Sequence, residues 1–356
     1  MRRRIAINGF GRIGRLTFRC ILERHPDELE IVAINDPAGS HTDALLLQYD
    51  SIYGRFKGQV VSEPGRFVVD GKPIRVFRER DWHKLPWGEL AVHTVLDCSG
   101  QGVTAVAASI HLEQGAQQVL ISAPAKGDDV TLVLGVNEDD YRPGQHKIIS
   151  NGSCTTNCLT PVAKVLHSEF GLKWGLLTTV HSYTNSQHVQ DRGTRDPREA
   201  RAAALNIIPT TTGAAKTLPK ILPALAGNFD GMAFRVPTPT VSAIDFVCET
   251  VQPVTVEMVN AAFARAARGP LNDILDICDQ PLVSMDFKGD SHSAIVDSLS
   301  TIVLDNRIVK VVAWYDNEWG YSCRLSDLAA YIAKRDAEIN ANPRRPSRIE
   351  VAVTVP

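Results

Sequence analysis

The sequence predicts an α/β protein in two parts: a helix-crossed parallel sheet of the Rossmann type, then an α+β part whose sheet is mainly antiparallel. Three observations predict it. At 356 residues the chain outgrows one ordinary hydrophobic core, so two domains are expected. Strand-like and helix-like runs alternate up to about residue 150, the pattern of a parallel sheet. Beyond Cys154 the character changes, and long β-rich segments follow one another, alternating in part. With 44% hydrophobic and 22% charged residues the composition is that of a soluble globular protein, and a net charge of −2 gives no basis for general attraction to nucleic acid or membranes. Arg2, Arg3 and Arg4 lead directly into a strand without the apolar run of a signal peptide, and no stretch reaches the roughly 20 apolar residues of a membrane span.

The first part opens with a strand, Ile5-Ala6-Ile7-Asn8, followed by Gly9-Phe10-Gly11-Arg12-Ile13-Gly14. A helix-like run from Arg15 to Glu23 comes next, then a strand, Ile31 to Ile34, ending in Asn35-Asp36. Strand, glycine turn, helix, strand and a late acidic residue is the dinucleotide-binding order. The turn from Gly9 to Gly14 lets backbone approach a pyrophosphate, whose charge the helix N-terminus receives, and Asp36 is placed to accept from an adenosine ribose. Further strands are expected at Thr94 to Asp97, Gln118 to Ile121 and Lys147 to Ile149. Ligands sit at the carboxyl ends of such strands, which brings Ser99 and Ser122 toward the cofactor.

The densest chemistry lies in Ser153-Cys154-Thr155-Thr156-Asn157-Cys158 and in His181-Ser182-Tyr183-Thr184. A thiolate nucleophile needs a nearby cation, a helix N-terminus or both, and a hydroxyl-rich run suits a loop that becomes a capped helix. Leu159 to Leu166 is the expected helix body, with its dipole lowering the Cys154 thiol pKa. Cys158 reads as a packed helix residue, since no His or Cys cluster with zinc spacing accompanies it, and no metal is expected. Seven cysteines without small-scaffold spacing read as free thiols in a reducing cytosol.

In the second part, Thr240 to Val251, Ser293 to Leu304 and Ile308 to Trp314 are the expected strands, and Thr255 to Arg268 a covering helix. Leu325 to Lys334 reads as a final helix. The expected division is 1–153 for dinucleotide binding, 154–318 for catalysis and 319–334 for a helix returning to the first domain. A tail of 335–356 follows, linker-like at first because of Asn340, Asn342 and its prolines, with an alternating edge-strand pattern at Ile349 to Val355.

From about residue 4 to 334 the chain resembles phosphorylating glyceraldehyde-3-phosphate dehydrogenases of type I. Five motifs in order carry the resemblance: Asn8 to Arg15, Ser153 to Cys158, Pro209-Thr210-Thr211-Thr212-Gly213-Ala214-Ala215-Lys216, Phe234-Arg235-Val236-Pro237-Thr238, and Trp314-Tyr315-Asp316-Asn317-Glu318-Trp319-Gly320-Tyr321. The resemblance implies a cytoplasmic, homotetrameric, glycolytic enzyme that oxidises glyceraldehyde 3-phosphate with inorganic phosphate. Cys154 would form the hemithioacetal and thioester, and His181 would act as base and pair with the thiolate. It implies that Thr184 and Arg235 hold the substrate phosphate, and that Ser153, Thr155, Thr212 and Gly213 hold inorganic phosphate. Asn317 would hold the nicotinamide carboxamide, with Tyr321 packed nearby.

Two departures stand out. The family usually has aspartate where this chain has Ser186, and many NAD-selective members have Leu-Pro in the loop that here carries Arg192-Gly193. Arg192 and Arg80 would favour the 2′-phosphate of NADP, while Asp36 repels it, by roughly 1 kcal/mol at about 4 Å even in bulk water. NAD is the expected cofactor, with NADP as the alternative. Two other readings stand beside the leading one: an erythrose-4-phosphate dehydrogenase that hydrolyses its thioester, and a non-catalytic paralogue serving as a binding protein.

Overall fold

The computed structural model describes residues 2–341, so the edge-strand pattern at 349–355 lies outside the described residues. The opening strand Arg3–Asn8 has Ile5, Ala6, Ile7 and Asn8 buried, as a strand covered on both faces requires. It lies in the middle of a nine-stranded sheet. On one side of it come Thr94–Asp97, Gln118–Ile121, Ile148–Ser150 and Val130–Thr131, and on the other Leu29–Asn35 and Lys72–Phe77, all parallel. The sheet does not stay parallel, however. Arg66–Val69 and Val60–Glu63 add an antiparallel hairpin to the Lys72–Phe77 edge, turning at Pro64-Gly65, where Gly65 takes φ +71°.

Seven of the nine strands therefore share one carboxyl edge, and four successive loops meet there: the glycine turn, the Asp36 loop, Cys98-Ser99 and Ser122. The last parallel strand in sequence, Ile148–Ser150, runs through Asn151-Gly152-Ser153 straight into the helix Cys154–Phe170. Gly152, at φ +62°, allows that sharp entry. This thiol helix buries Leu159, Val162, Ala163 and Leu166 against Ile244, Phe246, Val311 and Ala313 of a second sheet.

The second sheet has eight strands, ordered Ile208–Thr211, Phe229–Val236, Leu172–Ser182, Ser242–Thr250, Ile308–Tyr315, Ala294–Asp297 and Leu275–Cys278, with Ile302–Leu304 on the Ile308–Tyr315 strand. Most pairs are antiparallel, but Leu172–Ser182 with Phe229–Val236 and Leu275–Cys278 with Ala294–Asp297 are parallel. The expected continuous strand Ser293 to Leu304 is broken in two, because Asp297 caps the turn Ser298–Ser300 by accepting from the amides of Leu299 and Ser300.

The final helix also differs from expectation. It runs Trp319–Ala341, so the first residues of the expected tail are helical. A buried network holds it there: Arg3 donates to Thr94 (2.8 Å) and Asp336 (2.7 Å), and Tyr141 donates to the other Asp336 oxygen (2.7 Å). These partners lie far away in sequence, so the polar composition after Lys334 hides them. Leu325, Leu328, Ala329 and Ile332 of this helix share a core with Ile5, Ile7, Phe18 and Leu120 of the first sheet and its glycine helix.

Candidate active site

Gly9 adopts φ +89°, and a Cβ there would lie 2.5 Å from Ser99 Cα. A Cβ on Gly14 would lie 2.1 Å from the Gly9 carbonyl oxygen. Both positions require glycine. Gly11 is the N-cap of the helix Arg12–Arg24 and supplies no side-chain cap, so the first amides of the helix stay available to an anion. Phe10 contributes only backbone here, since its ring is buried against Phe18 and Phe67. Ile13 packs against the same core, and Arg12 is paired with Asp50 and Glu318.

Asp36 accepts from the Phe10 amide (2.7 Å) and the Ala38 amide (2.9 Å), which hold its side chain in place, and its neighbours Asn35 and Pro37 line a groove of about 230 Å³. Asn8, Gly9, Asn35, Arg80, Trp82 and Ser99 are among the residues lining that groove. Ser99 is held by Asp97, to which its hydroxyl donates at 2.6 Å. Ser122 sits apart from this lining, with its hydroxyl at the Cys98 thiol. A dinucleotide fits what is present: a cradle that a Cβ would fill, an uncapped helix N-terminus, and a fixed carboxylate on the ribose side.

The second cluster forms around Cys154. Ser153 caps the thiol helix, its hydroxyl accepting from the Thr156 amide at 3.0 Å. Cys154 Sγ lies 3.4 Å from His181 Nε2. The parallel register pairs His181 with Arg235 across the strands, and Arg235 Nη1 reaches His181 Nδ1 at 2.6 Å. The same Nδ1 lies 2.8 Å from the Ser182 carbonyl oxygen. One tautomer cannot make both contacts: a guanidinium only donates, so Nδ1 facing Arg235 is an acceptor, whereas Nδ1 facing a carbonyl must donate. With Arg235 in place the ring proton sits on Nε2.

The electrostatics correct one expectation. Burial pushes the thiol pKa up and outweighs the Arg235 charge, the Thr155 hydroxyl and the amides of Thr155 and Cys154, which pull it down. Burial, and then the Arg235 charge, push His181 down to about 3. Burial on both sides thus works against the expected ion pair of thiolate and imidazolium.

Thr155 is buried, its hydroxyl 2.9 Å from that of Tyr315, so it lies beneath the thiol. Thr184 pairs with Ser186 through their hydroxyls at 2.9 Å. Thr212 and the exposed Gly213 begin the helix Ala214–Ile221, and Thr212 accepts from the Ala214 amide at 3.3 Å. Tyr321 is buried and donates to the Gly152 carbonyl at 3.0 Å, bracing the entry to the thiol helix.

Several residues at this site carried no sequence signal of their own. Ser182 and Ser242 both donate to Asn317 Oδ1, at 3.0 and 2.9 Å. Asp316 accepts from Tyr53 (2.7 Å), Thr240 (3.0 Å) and the amides of Glu318, Trp319 and Gly289, fixing the loop that carries Asn317. They converge through the pairing of distant strands, and only the neighbourhood of His181 and Asn317 in the motifs hinted at them. Among the described residues no His, Cys, Asp and Glu group has the make-up of a metal site, and no helix is long and apolar enough to cross a membrane.

A dinucleotide cradle whose sheet edge leads into a capped helix bearing a thiol, with an imidazole 3.4 Å from the sulfur and a guanidinium in register with it, fits a nucleotide-dependent oxidoreductase and makes the thiol its candidate nucleophile. The chain belongs to the glyceraldehyde 3-phosphate dehydrogenase family: residues 3–105 match the family's NAD binding domain and residues 153–317 its C-terminal domain. It is 54% identical over 332 residues to glyceraldehyde-3-phosphate dehydrogenase of Geobacillus stearothermophilus, covering 93% of this chain and 98% of that one. It is 52% identical over 332 residues to glyceraldehyde-3-phosphate dehydrogenase 1 of Bacillus subtilis, with the same coverages of 93% and 98%. Against the chloroplastic glyceraldehyde-3-phosphate dehydrogenase B of Pisum sativum it is 51% identical over 335 residues, covering 93% of this chain and 74% of the relative.

Proposed function

We propose that this protein oxidises glyceraldehyde 3-phosphate to 1,3-bisphosphoglycerate with NAD and inorganic phosphate, through a thioester on Cys154. The observation that carries the mechanism is the contact chain Cys154 Sγ to His181 Nε2 (3.4 Å) and His181 Nδ1 to Arg235 Nη1 (2.6 Å). Arg235 and Thr184 hold the C3 phosphate of the substrate. As that phosphate draws the guanidinium off Nδ1, the ring gives up its Nε2 proton to solvent and takes one up on Nδ1, which donates to the Ser182 carbonyl and leaves the Nε2 lone pair free toward the thiol. His181 then takes the thiol proton, the thiolate attacks the aldehyde carbon, and His181 passes that proton to the carbonyl oxygen to give a hemithioacetal.

The bound cofactor supplies the hydride acceptor. His181 removes the hydroxyl proton as the hydride leaves, and the amide of Cys154 at the helix N-terminus stabilises the oxyanion. Inorganic phosphate, held by Ser153, Thr155, Thr212 and Gly213, attacks the thioester carbon. The C–S bond breaks, and the acyl phosphate leaves. Thr155 serves through its amide, its hydroxyl lying 2.9 Å from that of Tyr315.

NAD is the preferred cofactor because Asp36 is held by two amides where a 2′-phosphate would have to sit. The named relatives favour neither the hydrolytic alternative nor the non-catalytic one. A homotetramer is part of the same reading. Leu176 (57% exposed) and Val180 (41%) project from one face of the Leu172–Ser182 strand, and the following loop exposes Val189, Leu205 and Ile207. Such apolar exposure needs a cover, and a second copy provides one.

Replacing Cys154 with serine tests the nucleophile. Turnover should fall by about 10⁴-fold or more, because members of a catalytic unit fail together. NAD affinity, measured by direct titration, should stay within about twofold, since no cofactor contact is removed. A substantial residual rate would assign the chemistry elsewhere.

A further inference from the structure

Asn317 is 4% exposed, and Ser182 and Ser242 are 0% and 1% exposed. Their hydrogen bonds form a closed set. The Ser182 amide donates to Ser242 Oγ at 3.1 Å, which uses an acceptor site of that hydroxyl and leaves its proton free. That proton goes to Asn317 Oδ1 at 2.9 Å, and the Ser182 hydroxyl proton goes to the same oxygen at 3.0 Å. A carbonyl oxygen with two lone pairs is thereby filled. Turning the amide over would aim its N–H groups at the two hydroxyls and leave both hydroxyl protons without this acceptor in a buried site, which is costly.

We infer that Ser182 and Ser242 are positioning residues that lock the Asn317 amide in one orientation, so that the site presents an N–H donor and selects cofactors by their carbonyl oxygen. The inference rests on Asn317 facing the carboxamide of the nicotinamide. Ser182 has a second part in it, since its carbonyl lies 2.8 Å from His181 Nδ1 and accepts from it once Arg235 has been drawn away. The base and the carboxamide holder thus hang on one residue of one strand.

Cofactor analogues separate this role from a structural one. The acetylpyridine analogue of NAD keeps the carbonyl oxygen and lacks the amide N–H, while the thionicotinamide analogue keeps the N–H and replaces oxygen with sulfur, a poor acceptor. The parent protein should accept the acetylpyridine analogue with a KM within about threefold of NAD and disfavour the thio analogue by about tenfold. In S242A one of the two protons holding Oδ1 is gone and the gap between the analogues should narrow, while in the S182A/S242A double variant the amide turns over and the order reverses: the thio analogue approaches NAD and the acetylpyridine analogue loses about tenfold. S242T restores the hydroxyl and should restore the parent gap.

Analogue ratios unchanged in S242A and S182A would overturn the inference. So would a uniform loss of kcat, analogue KM and melting temperature that S242T fails to reverse. N317A guards the premise: if it leaves NAD affinity and the analogue ratios intact, the carboxamide reading of Asn317 fails, and the analogue order has another cause.

Discussion

Cys154 and His181 are legible in the sequence because their chemistry is local: a thiol among hydroxyls, and a histidine closing a strand. Arg235 is legible as a motif residue, but its contact with His181 is not. That contact depends on the register of two strands whose paired residues lie 54 positions apart. The effect of burial on the thiol is equally hidden, since a helix N-terminus can be read from sequence while desolvation cannot. Asp43 shows the same. It is 1% exposed with Oδ2 unpartnered, and burial, reinforced by Asp36, raises its carboxyl pKa from 3.8 to about 7. An acid whose pKa is raised on folding binds its proton more tightly in the folded state, so its contribution to stability falls as pH rises from about 4 through 7. D43N should therefore melt higher than the parent at about pH 8, with the gap closing toward pH 4. A gap that widened toward acid would show that Asp43 is charged and satisfied in the fold.

At the scale of elements, the expected strands Thr94 to Asp97 and Gln118 to Ile121 coincide with the observed ones, because continuous buried runs leave little choice. The antiparallel hairpin was missed although Pro64-Gly65 announces a turn, since its strands carry charged residues and their outer positions face solvent. The end of the last helix was missed because Arg3, Tyr141 and Asp336 meet only in three dimensions. The glycine turn is the element whose geometry is most constrained. G9A would place a methyl 2.5 Å from Ser99 Cα at a φ of +89°. It should cost about 1–3 kcal/mol of stability and weaken NAD binding by about tenfold or more, measured by melting and by titration. Unchanged NAD affinity in a folded G9A would place the pyrophosphate elsewhere.

At the scale of the molecule, the first sheet supplies the cradle, the second supplies His181 and Arg235, and the thiol helix joins them at the carboxyl edge. Parallel strands make that edge common to every loop that matters, which is why the order of elements alone pointed to the site. What composition could not convey is the apolar face around Leu176 and Val180. On the proposed tetramer with this face as a subunit contact, V180E should shift the protein toward smaller species in sedimentation at micromolar concentration, because a buried charge there would cost several kcal/mol. A parent that sediments as a monomer would remove that reading. The central claim is that a thioester on Cys154 is released by phosphate. The most direct measurement is the initial rate of NAD reduction with glyceraldehyde 3-phosphate, taken with and without inorganic phosphate. Sustained turnover only with phosphate, yielding an acyl phosphate, is the expected result; turnover at the same rate without phosphate would contradict it.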